Sequence, residues 1–375
     1  MANQQQHQNH GLNKTMVAMV MVPFPAQGHL NQLLHLLGLI LAYNIPVHYD
    51  CTFTHNRQAL LRVHGWDLKI PPFLTSSPNP NAPHKIIVIN DSLMGSVVQD
   101  LVTIPNAESY TFHTLELDRY SKIITKDLPS LEGCSTTEFM TFIDSQVKFQ
   151  KETRTIELSA IGPFNPVRNI GSNKRHKCLE WLDKESPNLV IYVSFGTTTA
   201  MEDEQIKELA IGLEKTDKGD VFINGELRKA KILEGFEERI KGRGMVVTDW
   251  APQLEILGHP SISGFMSHCG WNSCMESIIM RVLVAAWPMA SDQPRNTVLI
   301  TKFLKVGIVV KDWSCRDELV TSSIVEKAMK LLMASEEGDE IRQRIVDLGD
   351  AIGQSIEEGG VSRMELDSFI THITR

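Results

Sequence analysis

Two stretches of the chain share one order of apolar and polar positions. Residues 16–23 and 189–195 are runs of apolar, β-favouring residues. Each is followed by a loop of small residues, 24–28 and 196–199, and then by a segment with apolar positions three and four apart, 29–43 and 202–214. Strand, tight loop and helix in that order open a parallel α/β sheet, and runs apolar on both faces suit strands covered by helices. The second half keeps the alternation, with strands predicted at 245–248, 262–267, 283–287 and 306–310 between helical stretches at 254–257, 272–280 and 296–304. A further strand is predicted at 85–90 in the first half. The fold class is therefore α/β, with two doubly wound, Rossmann-like domains. The chain closes on amphipathic helices at 322–334, 340–358 and 361–373, the last two separated by Gly359-Gly360. Between the two halves, residues 162–175 concentrate Pro, Gly, Asn and basic side chains, the composition of a linker. The predicted organisation is a disordered tail at 1–14, an N-terminal domain at 15–161, a linker at 162–177, a C-terminal domain at 178–360 and a terminal helix at 361–375.

Composition narrows the function classes. With 375 residues, 42% hydrophobic and 22% charged, the chain can bury two cores. Its net charge of −8 and the lack of a basic stripe with interleaved aromatics argue against a nucleic-acid partner. The six cysteines are scattered, without a CxxC pair, and read as reduced cytosolic thiols. The segment 1–14 has no basic n-region and the apolar run after it is short, so neither a signal peptide nor a membrane span is expected. A cytoplasmic protein acting on small molecules is the resulting expectation; a monomer is expected as well, though composition does not supply it.

In an open parallel sheet ligands bind beyond the carboxyl ends of the strands, which directs attention to the segment after residues 262–267. It reads His268-Cys-Gly-Trp-Asn-Ser-Cys-Met-Glu276. Gly270 permits a tight turn, and backbone N–H groups at Asn272 and Ser273 would open a helix, a ready anion site. Ser273-x-x-Glu276 is also a capping box, which alone would account for both residues. The wider constellation adds Trp250-Ala-Pro-Gln253, Pro288 and Asp292-Gln293. With every spacing intact, it resembles the signature box of the plant secondary-metabolite UDP-glycosyltransferases.

That resemblance implies two Rossmann-like domains facing across a cleft, the GT-B arrangement, and a UDP-sugar donor. It implies that Trp250 stacks on uracil, Gln253 contacts the base and Glu276 accepts from the ribose hydroxyls. His268, Asn272 and Ser273 would face the diphosphate, and Trp271, Asp292 and Gln293 the sugar. The residue types suit those tasks: an indole for a flat base, a carboxylate for paired hydroxyls, backbone donors for phosphate. In the first half, Phe24-Pro-Ala-Gln-Gly-His29 resembles the segment that carries the family's general base, and Asp91, in Asn90-Asp-Ser-Leu-Met94, its orienting aspartate. Taken alone, His29 could be a surface group and Asp91 a helix N-cap. Ser194-Phe-Gly-Thr197 would form a phosphate-side loop with the Thr197 hydroxyl. No metal or other cofactor is implied, and no Asp-x-Asp metal motif stands in the linker or second domain. These motifs, with Ser291-Asp-Gln-Pro-Arg-Asn296, look most like the zeatin O-glycosyltransferases, which attach glucose or xylose to a cytokinin hydroxyl. Gln293 favours glucose or xylose over galactose by the same resemblance.

The resemblance has departures. Arg281 stands where Gly is typical and Leu283 where Pro is typical. Family members are longer, and the shortfall falls after Phe73, within 114–130, before Ile161 and after Glu214. Residues 215–231 are polar around the fragment Val221-Phe-Ile223, which predicts a missing central strand and a poorly packed second sheet. The five prolines between 70 and 85 leave no room for a crossover helix. These departures support a second reading, a degenerate paralogue that at most binds a nucleotide sugar. An NAD-dependent dehydrogenase ranks far below both, because no GxGxxG stands after either opening strand.

Overall fold

A computed structural model describes residues 17–24, 27–49, 85–98, 101, 103–112, 162, 175–196, 201–215, 220–224, 236–247 and 251–375. The expected tail at 1–14, most of the linker and the proline-rich connection before Lys85 lie outside the described residues. The chain divides into two compact units, one comprising residues 1–114, 142–162 and 361–375, the other 115–141 and 163–360.

The first unit contains a four-stranded parallel sheet in the order β2-β1-β3-β4, formed by β1 (Val17–Val22), β2 (Val47–Tyr49), β3 (Lys85–Asp91) and β4 (Ala107–Phe112). Helix α1 (Gln27–Leu41) contacts β2 and buries Leu33, Leu36, Leu37 and Ile40, while Met19, Met21 and Ile87 are buried in the sheet. That apolar stripe at three and four spacing is what the opening pattern implied. The terminal helix α10 (Val361–Ile373) joins this unit instead of standing by itself, burying Leu366, Phe369, Ile370 and Ile373. The Tyr43 hydroxyl donates to Asp367, the Arg363 guanidinium lies 5.4 Å from the Tyr43 ring, and Tyr110 meets Phe369 edge-on at 5.3 Å. Burial and the Asp367 carboxylate push the Tyr43 phenol up to about 12.

The second unit contains a six-stranded parallel sheet in the order β10-β9-β8-β5-β6-β7. Its strands are β5 (Val190–Ser194), β6 (Asp220–Asn224), β7 (Gly244–Val247), β8 (Ile262–Ser267), β9 (Leu283–Ala286) and β10 (Gly307–Val309). The first strand lies in the middle and the chain winds outward to both sides, so the strand order reverses between β5 and β8. Helix α2 (Lys177–Leu182) precedes the first of these strands; between them run α3 (Asp203–Glu214), α4 (Phe236–Arg239), α5 (Gln253–Leu257), α6 (Trp271–Ile279) and α7 (Gln293–Val298), with α8 (Ser322–Ala334) and α9 (Glu336–Ile356) after the last strand. Helix α9 begins earlier than the pattern suggests because Ser335 caps it, accepting from the Gly338 amide at 3.0 Å.

The missing central strand is a wrong expectation. Residues 220–224 form β6, paired along all five positions with β5 and over four with β7. A ladder is built from backbone N–H and C=O groups that polar residues also carry, so a three-residue apolar fragment suffices to register a strand whose flanks are polar. The interior edge that would have left the second sheet poorly packed is closed.

Arg281 adopts φ 60°, in the left-handed region where the resembled family has Gly. Its guanidinium donates through Nε to Asp350 Oδ1 at 2.8 Å and through Nη2 to the same oxygen, an ion pair that holds the turn against α9.

Candidate active site

In the first unit the parallel register aligns Val22 with Asn90, so the chain leaves β1 and β3 at the same end of the sheet. His29 lies in the first turn of α1 and Asp91 is the last residue of β3. His29 Nδ1 and Asp91 Oδ2 are 2.8 Å apart, with the carboxylate fully buried and the imidazole only 12% exposed. The other carboxylate oxygen accepts from the Leu93 amide at 2.9 Å, so Asp91 also does the capping work that its sequence context allowed. The Phe24 ring meets the imidazole edge-on at 5.2 Å. A buried carboxylate facing Nδ1 holds the proton there and leaves the lone pair on Nε2.

In the second unit Gln253 opens α5 and gathers three other residues. Its Nε2 donates to Ser273 Oγ at 3.1 Å and to Glu276 Oε2 at 2.9 Å, and its Oε1 accepts from the Tyr192 hydroxyl at 3.4 Å. Tyr192 comes from β5, fully buried and stacked 4.8 Å from Phe265. Helix α6 starts at Trp271 behind Gly270, so Ser273 is inside the helix and the capping-box reading fails. The amides of its first turn, at Trp271, Asn272 and Ser273, point out of the N-terminal end of the helix, where an anion can accept from them.

His268 follows β8 and lies between two glycines. A Cβ on Gly196 would come within 2.8 Å of its Nε2, and one on Gly270 within 2.6 Å, so the ring fits only because both side chains are absent. Burial pushes this imidazole down to about 4, which makes it neutral at physiological pH. The two residues after β9 that the sequence singled out are gripped differently. Gln293 Oε1 accepts from the amides of Met289 and Ala290 at 2.8 and 2.9 Å, which leaves Nε2 as its donor end. Asp292 Oδ2 accepts from Asn296 Nδ2 at 2.7 Å, and the same nitrogen donates to the Cys269 carbonyl at 3.0 Å.

Of the residues predicted from sequence, the structure brings together His29 with Asp91, and Gln253 with Ser273 and Glu276. His268 lies on the adjoining turn, with Trp271 and Asn272 in the first turn of α6; Gln293 is tied to its own loop, and Asp292 through Asn296 to Cys269. Trp250 and Thr197 lie outside the described residues. Tyr192 and Asn296 are additions that sequence reasoning did not assign. Among the described residues no group of three or more His, Cys, Asp or Glu could hold a metal ion.

Residues 15–83 match the glycosyltransferase N-terminal domain, and residues 106–340 match the family described as UDP-glucoronosyl and UDP-glucosyl transferase. The chain belongs to that family. Such a UDP-glycosyltransferase takes its sugar from a UDP-sugar and passes it to a small acceptor. This one is 45% identical to the zeatin O-glucosyltransferase of Phaseolus lunatus, across 97% of this chain and 98% of the relative. To the zeatin O-xylosyltransferase of Phaseolus vulgaris it is 43% identical, across 97% and 99%. The first alignment runs over 450 positions against the 375 residues of this chain, so gaps here stand opposite residues of the longer relative. A crystal structure of TcCGT1 in complex with UDP shares the GT-B fold, with a TM-score of 0.75 and 22% identity over 95% of this chain and 98% of the other.

Proposed function

We propose that this UDP-glycosyltransferase transfers glucose or xylose from UDP to the side-chain hydroxyl of a zeatin-type cytokinin, with inversion, in one displacement. His29 Nε2 takes the acceptor proton as the oxygen bonds to C1 of the sugar. The bond from C1 to the diphosphate breaks in the same step, and UDP leaves. Asp91 keeps the imidazole in the reacting tautomer and stabilises the imidazolium. The observation that carries this reading is the 2.8 Å contact of His29 with a fully buried carboxylate, the arrangement a general base needs.

In the donor site Trp250 stacks on uracil, Gln253 and Glu276 hold the base and ribose, and His268 with the first turn of α6 and Thr197 faces the diphosphate. Trp271, Asp292 and Gln293 serve the sugar, the carboxylate as acceptor and Gln293 Nε2 as donor. The cytoplasm is the proposed location, supported by the free thiols of Cys178, Cys269, Cys274 and Cys315, and a monomer is the proposed state. Among the described residues no helix is long and apolar enough to cross a membrane.

The test incubates purified protein with UDP-glucose or UDP-xylose and trans-zeatin and reads glycoside by mass spectrometry, with His29→Ala as the silent control. Calorimetry should show UDP affinity lowered in Trp250→Ala and in Glu276→Ala, and unchanged affinity in both would remove the donor-site assignment. The alignment gaps favour the second reading, a chain that binds the nucleotide sugar without turning it over. UDP binding without glycoside on any hydroxylated acceptor would select it.

A further inference from the structure

Asn296 is completely buried on α7, one turn after Asp292, and its carboxamide nitrogen has two neighbours, both acceptors. One is a carboxylate oxygen at 2.7 Å and the other the Cys269 carbonyl at 3.0 Å. Only an –NH2 group offers two hydrogens from one atom at this reach, and an amide turned the other way would set an oxygen against both acceptors. The orientation is therefore unambiguous. Cys269 is itself in the left-handed region, at φ 61°, in the turn between His268 and Gly270, so the direction of its carbonyl is fixed by that turn. Gln293, the neighbour of Asp292, is bound instead to the amides of its own loop.

We propose that Asn296 is a positioning residue for the sugar end of the donor site, locking the Asp292 carboxylate to the turn that carries His268. The proposal rests on the reading that Asp292 meets the sugar. Through Asn296, the part of the site that serves the sugar keeps a set distance from the part that serves the diphosphate. Losing that tie should weaken recognition of the sugar and leave recognition of the UDP moiety nearly intact.

Two substitutions separate this from a packing role. Asn296→Leu keeps the branched outline, at a larger volume, and removes both donors. Asn296→Asp keeps the shape but places a second carboxyl against Asp292, and that carboxyl can donate only when protonated. Calorimetry with UDP and with UDP-glucose, and steady-state kinetics of transfer, are the readouts. In both variants UDP affinity is expected within about twofold of the parent, while kcat/KM for UDP-glucose falls roughly 10- to 100-fold, the range of one or two lost charge-assisted bonds. For Asn296→Asp the relative activity should climb as pH is lowered, because the protonated carboxyl again donates to Asp292. A merely structural residue would not produce that pH profile, and Asn296→Asp supplies the test by itself should Asn296→Leu fail to fold. Unchanged kcat/KM in the folded variants, or UDP affinity falling in parallel with sugar recognition, would overturn the proposal. A parent protein that binds neither UDP nor UDP-glucose would overturn the proposed function along with it.

Discussion

The two units build their chemistry in opposite ways. In the first, His29 in the first turn of α1 and Asp91 at the end of β3 form a single pair with one buried carboxylate and one tautomer. In the second, the polar atoms come from β5, α5, α6, α7 and the turn at Cys269 and are joined by neutral amides and hydroxyls, with Gln253 bridging three partners and Asn296 two. A pair has no redundancy: on the proposed mechanism, removing either member cripples the proton transfer. A network degrades in steps, because each bond contributes about 1 kcal/mol and the backbone donors of α6 remain.

The sharpest way to break this contrast is Asp91→Asn. The amide would put its –NH2 against His29 and shift the ring proton to Nε2, so kcat should fall roughly 10²- to 10⁴-fold while UDP affinity holds. Near-normal turnover would show that the pair is not the working unit. Next comes the ladder beneath the network. Phe222→Pro removes a backbone donor from an interior strand and should lower unfolding free energy by about 2–4 kcal/mol, taking UDP binding with it. A melting temperature unchanged by this substitution would restore the absent-strand view.

The pH dependence of stability is expected to be of comparable or slightly smaller size. His268 resists protonation when folded but takes a proton near pH 6.5 when unfolded, so the unfolded chain binds more protons between about pH 4 and 6.5. Stability should therefore decline as pH falls through that window, by roughly 2–3 kcal/mol at its lower end. Replacing His268 with Asn should flatten that part of the curve, and superimposable melting curves against pH would rule the imidazole out as the source. The smallest effect belongs to the exposed Arg281–Asp350 pair. Asp350→Ala should cost about 0.2–1 kcal/mol in the parent and close to nothing in an Arg281→Gly background. Equal costs in both backgrounds would mean that the ion pair does not hold the left-handed turn.

Strands and helices with strong periodicity are readable at the level of single residues. Helices Ser322–Ala334 and Val361–Ile373 and strand Ile262–Ser267 lie where the pattern puts them. The elements that escape are short or mixed. Val47–Tyr49 has three residues, and Ala107–Phe112 carries no fully buried position that would mark a strand. Residues 220–224 are hidden because hydropathy measures side chains while a ladder is a backbone structure. The same division holds at the site. His29, Asp91 and the Gln253–Ser273–Glu276 cluster are visible because they sit in recognisable spacings, and the structure adds their distances. Tyr192 reads as an ordinary strand aromatic and Asn296 as an ordinary helix polar residue. Their roles arise from partners 61 and 27 positions away, which no local pattern encodes.

The placement of α10 bears on how the chain is made. Tyr43 and Asp367 are 324 residues apart in sequence. At about 5–20 residues per second, a ribosome needs on the order of 15–60 s to synthesise the stretch that separates them. Through that interval Tyr110 of β4 lacks its contact with Phe369, whereas the six strands of the second sheet lie close together in sequence and can pair as they emerge. The domain begun first is thus finished last. A nascent-chain protease-protection assay should find Val190–Val309 resistant before Val17–Phe112.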